Sequence, residues 1–227
     1  MSASFFPHPD SADRHGLVAV THAINADLLE DAYAHGIFPW SEDPVGWFSP
    51  DPRAIFVRDQ IRMPRKLGKI MRRHRFRVTF DTAFDRVMRA CAETHEKDGT
   101  WITAGFFAAY GELFERGHAH SVEVWQDEAL VGGLYGVQLR GLFAGESMFH
   151  RVPNASKVAF GYLVRHLEAV GTLLFDAQVP NDFTLQLGAV LVRRATYLAT
   201  LKKAMRVTTL YDGGRWPAAP LTALDRS

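Results

Sequence analysis

The stretch from Val131 to Lys157, VGGLYGVQLRGLFAGESMFHRVPNASK, restricts the fold more than any other part of the chain. It opens Gly-Gly, runs through alternating apolar and small residues, and closes on Asn154-Ala155-Ser156, which reads as a helix start. One or two long strands leading into a helix account for it. Inside it, Glu146 lies between Gly145 and Ser147, with Phe143, Met148 and Phe149 nearby. A carboxylate buried in such company is costly unless it meets a cation or hydrogen-bond donors. Glu146 is therefore either exposed on an edge strand or held for a purpose. Gly132, Gly133 and Gly136 fall within the same pattern, where Gly signals a bulge or the close approach of a ligand.

The flanking sequence supplies alternating strands and helices in irregular order. Short strands are expected at 16–20, 76–80, 122–126 and 173–176, with a hairpin turn at 126–129. Asn25 caps one helix and Gly36 suits the left-handed position after it. Further helices are expected from Asp81 or Thr82 to about Ala92, from Thr103 to Gly117, from about Ala155 to Gly171, from Pro180-Asn181-Asp182, and near Thr196 to Met205. The pattern is that of an α+β chain, a mixed sheet with helices packed on it. Residues 1–60 are expected to form a small N-terminal domain and 61–227 the larger one. The Gly- and Pro-rich tail from Tyr211 reads as loose.

Composition excludes several classes of protein. With 227 residues, 47% of them apolar and 22% charged, the chain suits a soluble globular protein. A single cysteine, Cys91, excludes an internal disulfide and a multi-thiolate zinc site, and fits a reducing, cytoplasmic setting. Neither a signal peptide nor a membrane span is expected. The net charge of +1 hides a local asymmetry. Between Arg62 and Arg77 stand Arg62, Arg65, Lys66, Lys69, Arg72, Arg73, Arg75 and Arg77, with no acid among them. Arg65, Lys69, Arg72 and Arg73 share one face of a helix whose first turn Pro64 suits, opposite a stripe of Leu67, Ile70 and Met71. Unrelieved like charge of this density points to a polyanion, here nucleic acid. The aromatic run GIFPW (36–40) and WFSPDPR (47–53) is either a small core or a platform on which a nucleobase stacks.

No phosphate-cradling G-x-G-x-x-G, P-loop lysine or G-x-S-x-G elbow is present, and Cys91 has no evident activating neighbour. His118 and His120 lack a third ligand at metal spacing, so no metal is expected. Glu146, Asp176 and Gln178 remain, each at or near an expected strand end, although Asp176 also fits as a cap of the next turn.

The ordered set GIFPW, WFSPDPR, TWI (100–102), AHSVEVW (119–125), LVGGLYGV (130–137), FAGESMF (143–149), NASK (154–157), D-x-Q (176–178) and LGA (187–189) resembles the leucyl/phenylalanyl-tRNA–protein transferase family. The resemblance implies an acyl-CoA N-acetyltransferase-like domain behind a small N-terminal one. It implies transfer of Leu or Phe, and possibly Met, from aminoacyl-tRNA to a protein whose N-terminus is Arg or Lys, marking it for degradation. No cofactor is implied, because the donor ester is already activated, and a monomer is expected. An α-amine of ordinary pKa, about 7.7–8, is partly neutral at pH 7. Holding donor and amine together and stabilising the oxyanion are then the main tasks. By resemblance, Gln178 orients the amine, Asp176 raises its basicity through a hydrogen-bond relay, and Glu146 binds the acceptor end. Leu134, Phe143, Met148 and Phe175 line the donor side-chain pocket. Trp47 and Trp101 stack on the terminal adenosine, and the basic run holds tRNA phosphates. The chain departs from the family pattern at His150, Phe183 and Gln186, near the acceptor. A small-molecule amine is therefore the alternative acceptor.

Overall fold

The computed structural model describes residues 4–40, 44–63, 65–72, 75–95 and 102–220. A three-stranded sheet is built from β1 (Leu17–Thr21), β2 (Phe38–Pro39) and β3 (Val45–Phe48), in the order β1-β3-β2, with α1 (Ala26–Ala34) between the first two in sequence. Asn25 caps α1 by accepting from the Leu28 N–H. Next come β4 (Arg53–Phe56), α2 (Arg65–Arg72), β5 (Arg77–Phe80), α3 (Phe84–His95) and α4 (Ala104–Glu115). The hairpin strands β6 (Ala119–Gln126) and β7 (Ala129–Leu139) lead to β8 (Leu142–His150), α5 (Ala155–Val170) and β9 (Leu174–Gln178). The chain continues through α6 (Asp182–Gln186), β10 (Ala189–Val192) and α7 (Arg194–Ala204). The second sheet has seven strands in the order β10-β4-β9-β8-β7-β6-β5. The expected mixed sheet with packed helices is the fold observed.

The expected boundary at residue 60 is corrected. The strand at Arg53–Phe56 pairs with β10 and β9 inside the large sheet, so the small sheet ends at Phe48. The N-terminal residues Phe6, Leu29, Tyr33, Phe38 and Trp47 also share one hydrophobic cluster with α3, α4 and one face of the large sheet. The opposite face carries α2 and α5, with Leu67, Met71, Phe160 and Leu163 in a second cluster. The described part of the tail, up to residue 220, is anchored rather than loose. Trp216 is buried in that second cluster, stacked on His120 with ring centroids 4.2 Å apart, and its indole N–H donates to Gln138 Oε1 at 3.0 Å.

Two glycines explain parts of the sequence pattern. At Gly136 the register shifts, and a Cβ would come within 2.5 Å of the Phe143 ring and closer still to the Ala144 carbonyl. The close approach is thus made by the neighbouring strand, not by a ligand. Gly188, at φ +95, leaves no room for a Cβ beside the Gln60 carbonyl, while Arg62 N–H donates to Leu187 O at 2.7 Å. That contact ties the turn after α6 to the start of the basic segment.

One feature of the large sheet places the site. All pairings are antiparallel except β8 with β9, which α5 connects in parallel. Their pairing stops at Ala144 opposite Asp176. Beyond that point β8 continues to His150 and β9 to Gln178. A cleft outside the carboxyl ends of parallel strands is where α/β sheets commonly hold ligands.

Candidate active site

Glu146 and Gln178 face each other just past the last β8–β9 pair. Gln178 Nε2 donates to Glu146 Oε1 at 2.7 Å. Glu146 is not on an edge strand, since β8 lies between β7 and β9. Tyr33 from α1 donates to its Oε1 at 2.6 Å, and the Tyr110 hydroxyl from α4 lies 3.0 Å from its Oε2. Burial pushes the carboxyl up to about 7 even though these donors and Gln178 act in the opposite direction. Burial outweighs them because no cation among the described residues pairs with Glu146.

Asp176 contacts the backbone rather than the side chain of Gln178. It is fully buried and both its oxygens are occupied. Oδ1 accepts from Arg53 Nε at 2.9 Å and from the backbone N–H of Gln178 at 2.8 Å. Oδ2 accepts from Arg53 Nη2 at 2.6 Å and from the Tyr197 hydroxyl at 2.8 Å. Arg53 is itself buried, with its guanidinium 4.5 Å from the ring centres of both Phe38 and Tyr197. No side-chain relay links Asp176 to Gln178. Asp176 instead holds the backbone of Gln178, whose φ of +60 is left-handed and costs a non-glycine residue about 1–2 kcal/mol. The side chain so placed spends its amide N–H on Glu146, which leaves its carbonyl oxygen to accept from an amine.

A cavity of about 770 Å³ opens in front of this pair. Leu134, Met148 and Phe175 line it, joined by Phe56, Phe160 and Leu163. Phe143 does not: it is fully buried behind Phe175, edge to face at 5.5 Å. Trp47 is also corrected. Its ring is fully buried against Phe6 at 4.6 Å and its N–H donates to Thr21 Oγ1, so neither face is open to a base. Among the described residues the exposed tryptophan is Trp40, which lines the cavity and meets Phe48 edge-on at 6.1 Å. Both tryptophans lie in one aromatic run, and nothing in the run alone says which faces inward. Trp47→Ala is expected to lower stability by about 3–5 kcal/mol in a denaturant titration.

Trp101, Arg73 and Pro64 lie outside the described residues. Arg65, Lys66 and Arg72 fall on α2, and Lys69 on that helix is exposed. Arg62, Arg75 and Arg77 are exposed beside it, and Arg77 lies 3.8 Å from Glu128 and over the Trp125 ring. His150 and Phe183 line the cavity and Gln186 is exposed on α6. His118 and His120 separate to different carboxylates, Glu30 and Asp81. Among the described residues no three His, Cys, Asp or Glu side chains gather as a metal site. No described helix is long and apolar enough to cross a membrane. Burial pushes the Cys91 thiol up to about 12, which is unsuited to a nucleophile.

The family profile described as leucyl/phenylalanyl-tRNA protein transferase matches residues 55–202, and its N-terminal domain profile matches 23–51. The chain belongs to this family. A leucyl/phenylalanyl-tRNA–protein transferase from Pseudomonas fluorescens is 50% identical over 197 residues, covering 85% of this chain and 87% of that one. One from Syntrophotalea carbinolica is 48% identical over 218 residues, 94% of this chain and 95% of that one. Among solved structures, L-PGS from Bacillus licheniformis is similar at 12% identity with a TM-score of 0.42, covering 83% of this chain and 72% of that one. The two profiles divide between residues 51 and 55, where the small sheet has ended and β4 enters the large one.

Proposed function

We propose that this protein transfers Leu or Phe from aminoacyl-tRNA to the N-terminal Arg or Lys of an acceptor protein, by aminolysis of the ester. The observation that carries this reading is the pairing of Glu146 with Gln178 at the wall of an apolar cavity. The donor side chain fills the part lined by Leu134, Met148, Phe160 and Phe175. Such a pocket separates apolar side chains by only about 1–3 kcal/mol per methylene, so it admits more than one amino acid. Met148 adds the adaptability of an unbranched thioether. Trp40 offers its face to the terminal adenosine, and Trp40→Ala is expected to weaken aminoacyl-tRNA binding about five- to 150-fold, measured as a dissociation constant. The exposed cations Arg62, Lys69, Arg75 and Arg77, with α2 packed beside α5, take tRNA phosphates irrespective of sequence.

The acceptor amine donates one N–H to the Gln178 carbonyl oxygen, which aims the nitrogen lone pair at the ester carbon. The new C–N bond forms, the bond from carbon to the ribose oxygen breaks, and the proton lost by nitrogen ends on that oxygen. Orientation of this kind is worth as much as about 7–11 kcal/mol of barrier. Glu146 supplies the negative charge that a basic N-terminus seeks.

Incubation with Leu-tRNA and an Arg-initiated peptide is expected to give Leu-Arg peptide, detected by mass spectrometry. Gln178→Ala should lower its rate at least about a hundredfold. Ester consumed only when a small amine is supplied would favour the other acceptor class, to which His150 and Phe183 at the cavity wall give some support.

A further inference from the structure

Glu146, Tyr33 and Tyr110 form a closed triangle of oxygen contacts. Tyr33 Oη lies 2.6 Å from Glu146 Oε1, Tyr110 Oη lies 3.0 Å from Glu146 Oε2, and the two phenol oxygens are 2.7 Å apart. Each contact needs one proton between its oxygens. The tyrosines bring two, and both phenols are pushed well above their ordinary range, by burial first and by the neighbouring Glu146 second, so they keep them. An ionised Glu146 brings none, which leaves one contact as lone pair against lone pair.

A protonated Glu146 closes the count in a single direction. Gln178 Nε2 donates to Oε1, which marks Oε1 as the carbonyl oxygen and Oε2 as the hydroxyl. Oε2–H then donates to Tyr110, Tyr110 to Tyr33, and Tyr33 to Oε1. The other titratable groups in its surroundings are Tyr135 on β7 and Asp176 on β9, with Cys91 on α3 beside Ser147 and His150 on the cavity wall. Asp176 disfavours the ionised form, and the Arg53 guanidinium is already paired with Asp176.

We propose that Glu146, Tyr33 and Tyr110 share three protons in a ring while the acceptor site is empty, and that the cationic end of the acceptor enters by displacing one of them. The acceptor half of this statement rests on the function proposed above. The ring itself does not. The carboxyl that rises to about 7 is the one this exchange requires. Its consequence is a pocket that loads its uncharged donor side chain without a bare buried carboxylate and gains its negative charge only when a cation arrives.

Infrared difference spectroscopy of the full chain tests the ring. A protonated-carboxyl C=O band, absent from Glu146→Gln, is expected at pH 6 and should titrate away near neutrality. Tyr33→Phe removes two contacts from the protonated state. From the ionised state it removes one donor and one repulsion. The titration should therefore move to lower pH. A missing band at pH 6, or a move to higher pH in Tyr33→Phe, overturns the ring. Calorimetry with an Arg-initiated peptide, in two buffers of different ionisation enthalpy, tests the exchange. The parent should release close to one proton more per bound peptide than Glu146→Gln at pH 6, and the difference should nearly vanish at pH 8.5. Equal proton release by the two proteins at pH 6 overturns the exchange. Absence of peptide binding alongside an intact band overturns the acceptor assignment and leaves the ring standing.

Discussion

Arg53→Met is expected to lower the unfolding free energy by about 3–5 kcal/mol, the loss that follows when one partner of a buried ion pair is removed and the other stays. The two side chains are 1% and 0% exposed and meet through two nitrogen–oxygen contacts of 2.9 and 2.6 Å. Water cannot take over for the missing guanidinium, so Asp176 must either take up a proton or drag solvent into the core. Asp176→Leu should cost a similar amount from the other side. The double variant Arg53→Met/Asp176→Leu should recover much of the stability, because apolar replacement of a whole buried pair is often neutral. It should not recover transfer. Nothing would then hold the Gln178 N–H at 2.8 Å, and the left-handed residue would relax away from Glu146. Urea titration of the four proteins decides the stability part, and single-turnover transfer from charged tRNA decides the rest. A single variant within 1 kcal/mol of the parent, or a double variant that transfers normally, would show that Asp176 and Arg53 do not position Gln178.

How much of this could be read beforehand follows from what is local. The strands and helices were legible because period and caps are local: Asn25, Asn181 and the hairpin at Gln126 to Ala129 all act as their residues suggest. Gln178 was legible as a polar residue at a strand end, and Glu146 as a carboxylate among apolar neighbours, although it lies in the middle of β8. Their partners were not, because Tyr33 and Tyr110 lie 113 and 36 residues from Glu146 and arrive on helices whose apolar pattern says only that they face the core. Arg53 gave no sign of being buried, since the residue that neutralises it lies 123 positions away. The ion pair of Asp176 was hidden for the same reason. A D-x-Q pattern gives proximity along the chain, whereas the direction each side chain takes is set by strands β4 and β8 on either side. That Trp47 is buried and Trp40 exposed was not legible, because the aromatic run carries no periodicity from which to tell inside from outside.

Glu146→Gln is expected to make the protein more stable and less active at once. The sign follows from the direction of the shift. Burial raises the Glu146 carboxyl from 4.5 to about 7. Below about pH 4.5 both folded and unfolded chains hold the proton, and the contribution to stability is complete. As pH rises the unfolded chain releases the proton first, so stability falls until the folded chain releases it near 7. The loss reaches about 3 kcal/mol at most above that pH. A glutamine cannot ionise, yet its amide donates to Tyr110 and its carbonyl accepts from Tyr33, as the acid form does. The variant should therefore match the parent near pH 4.5 and melt several degrees higher at pH 8, at about 2–4 °C per kcal/mol for a chain of this length. Transfer to an Arg-initiated peptide should fall by at least about thirtyfold, the lower bound for removing one member of a buried charge pair. Its rise with pH through 7 should flatten to the slope that the peptide's own amine imposes. A stability decrease at pH 8 would mean that Glu146 sits ionised and well satisfied in the folded protein. Unchanged transfer would mean that the basic end of the acceptor is recognised elsewhere.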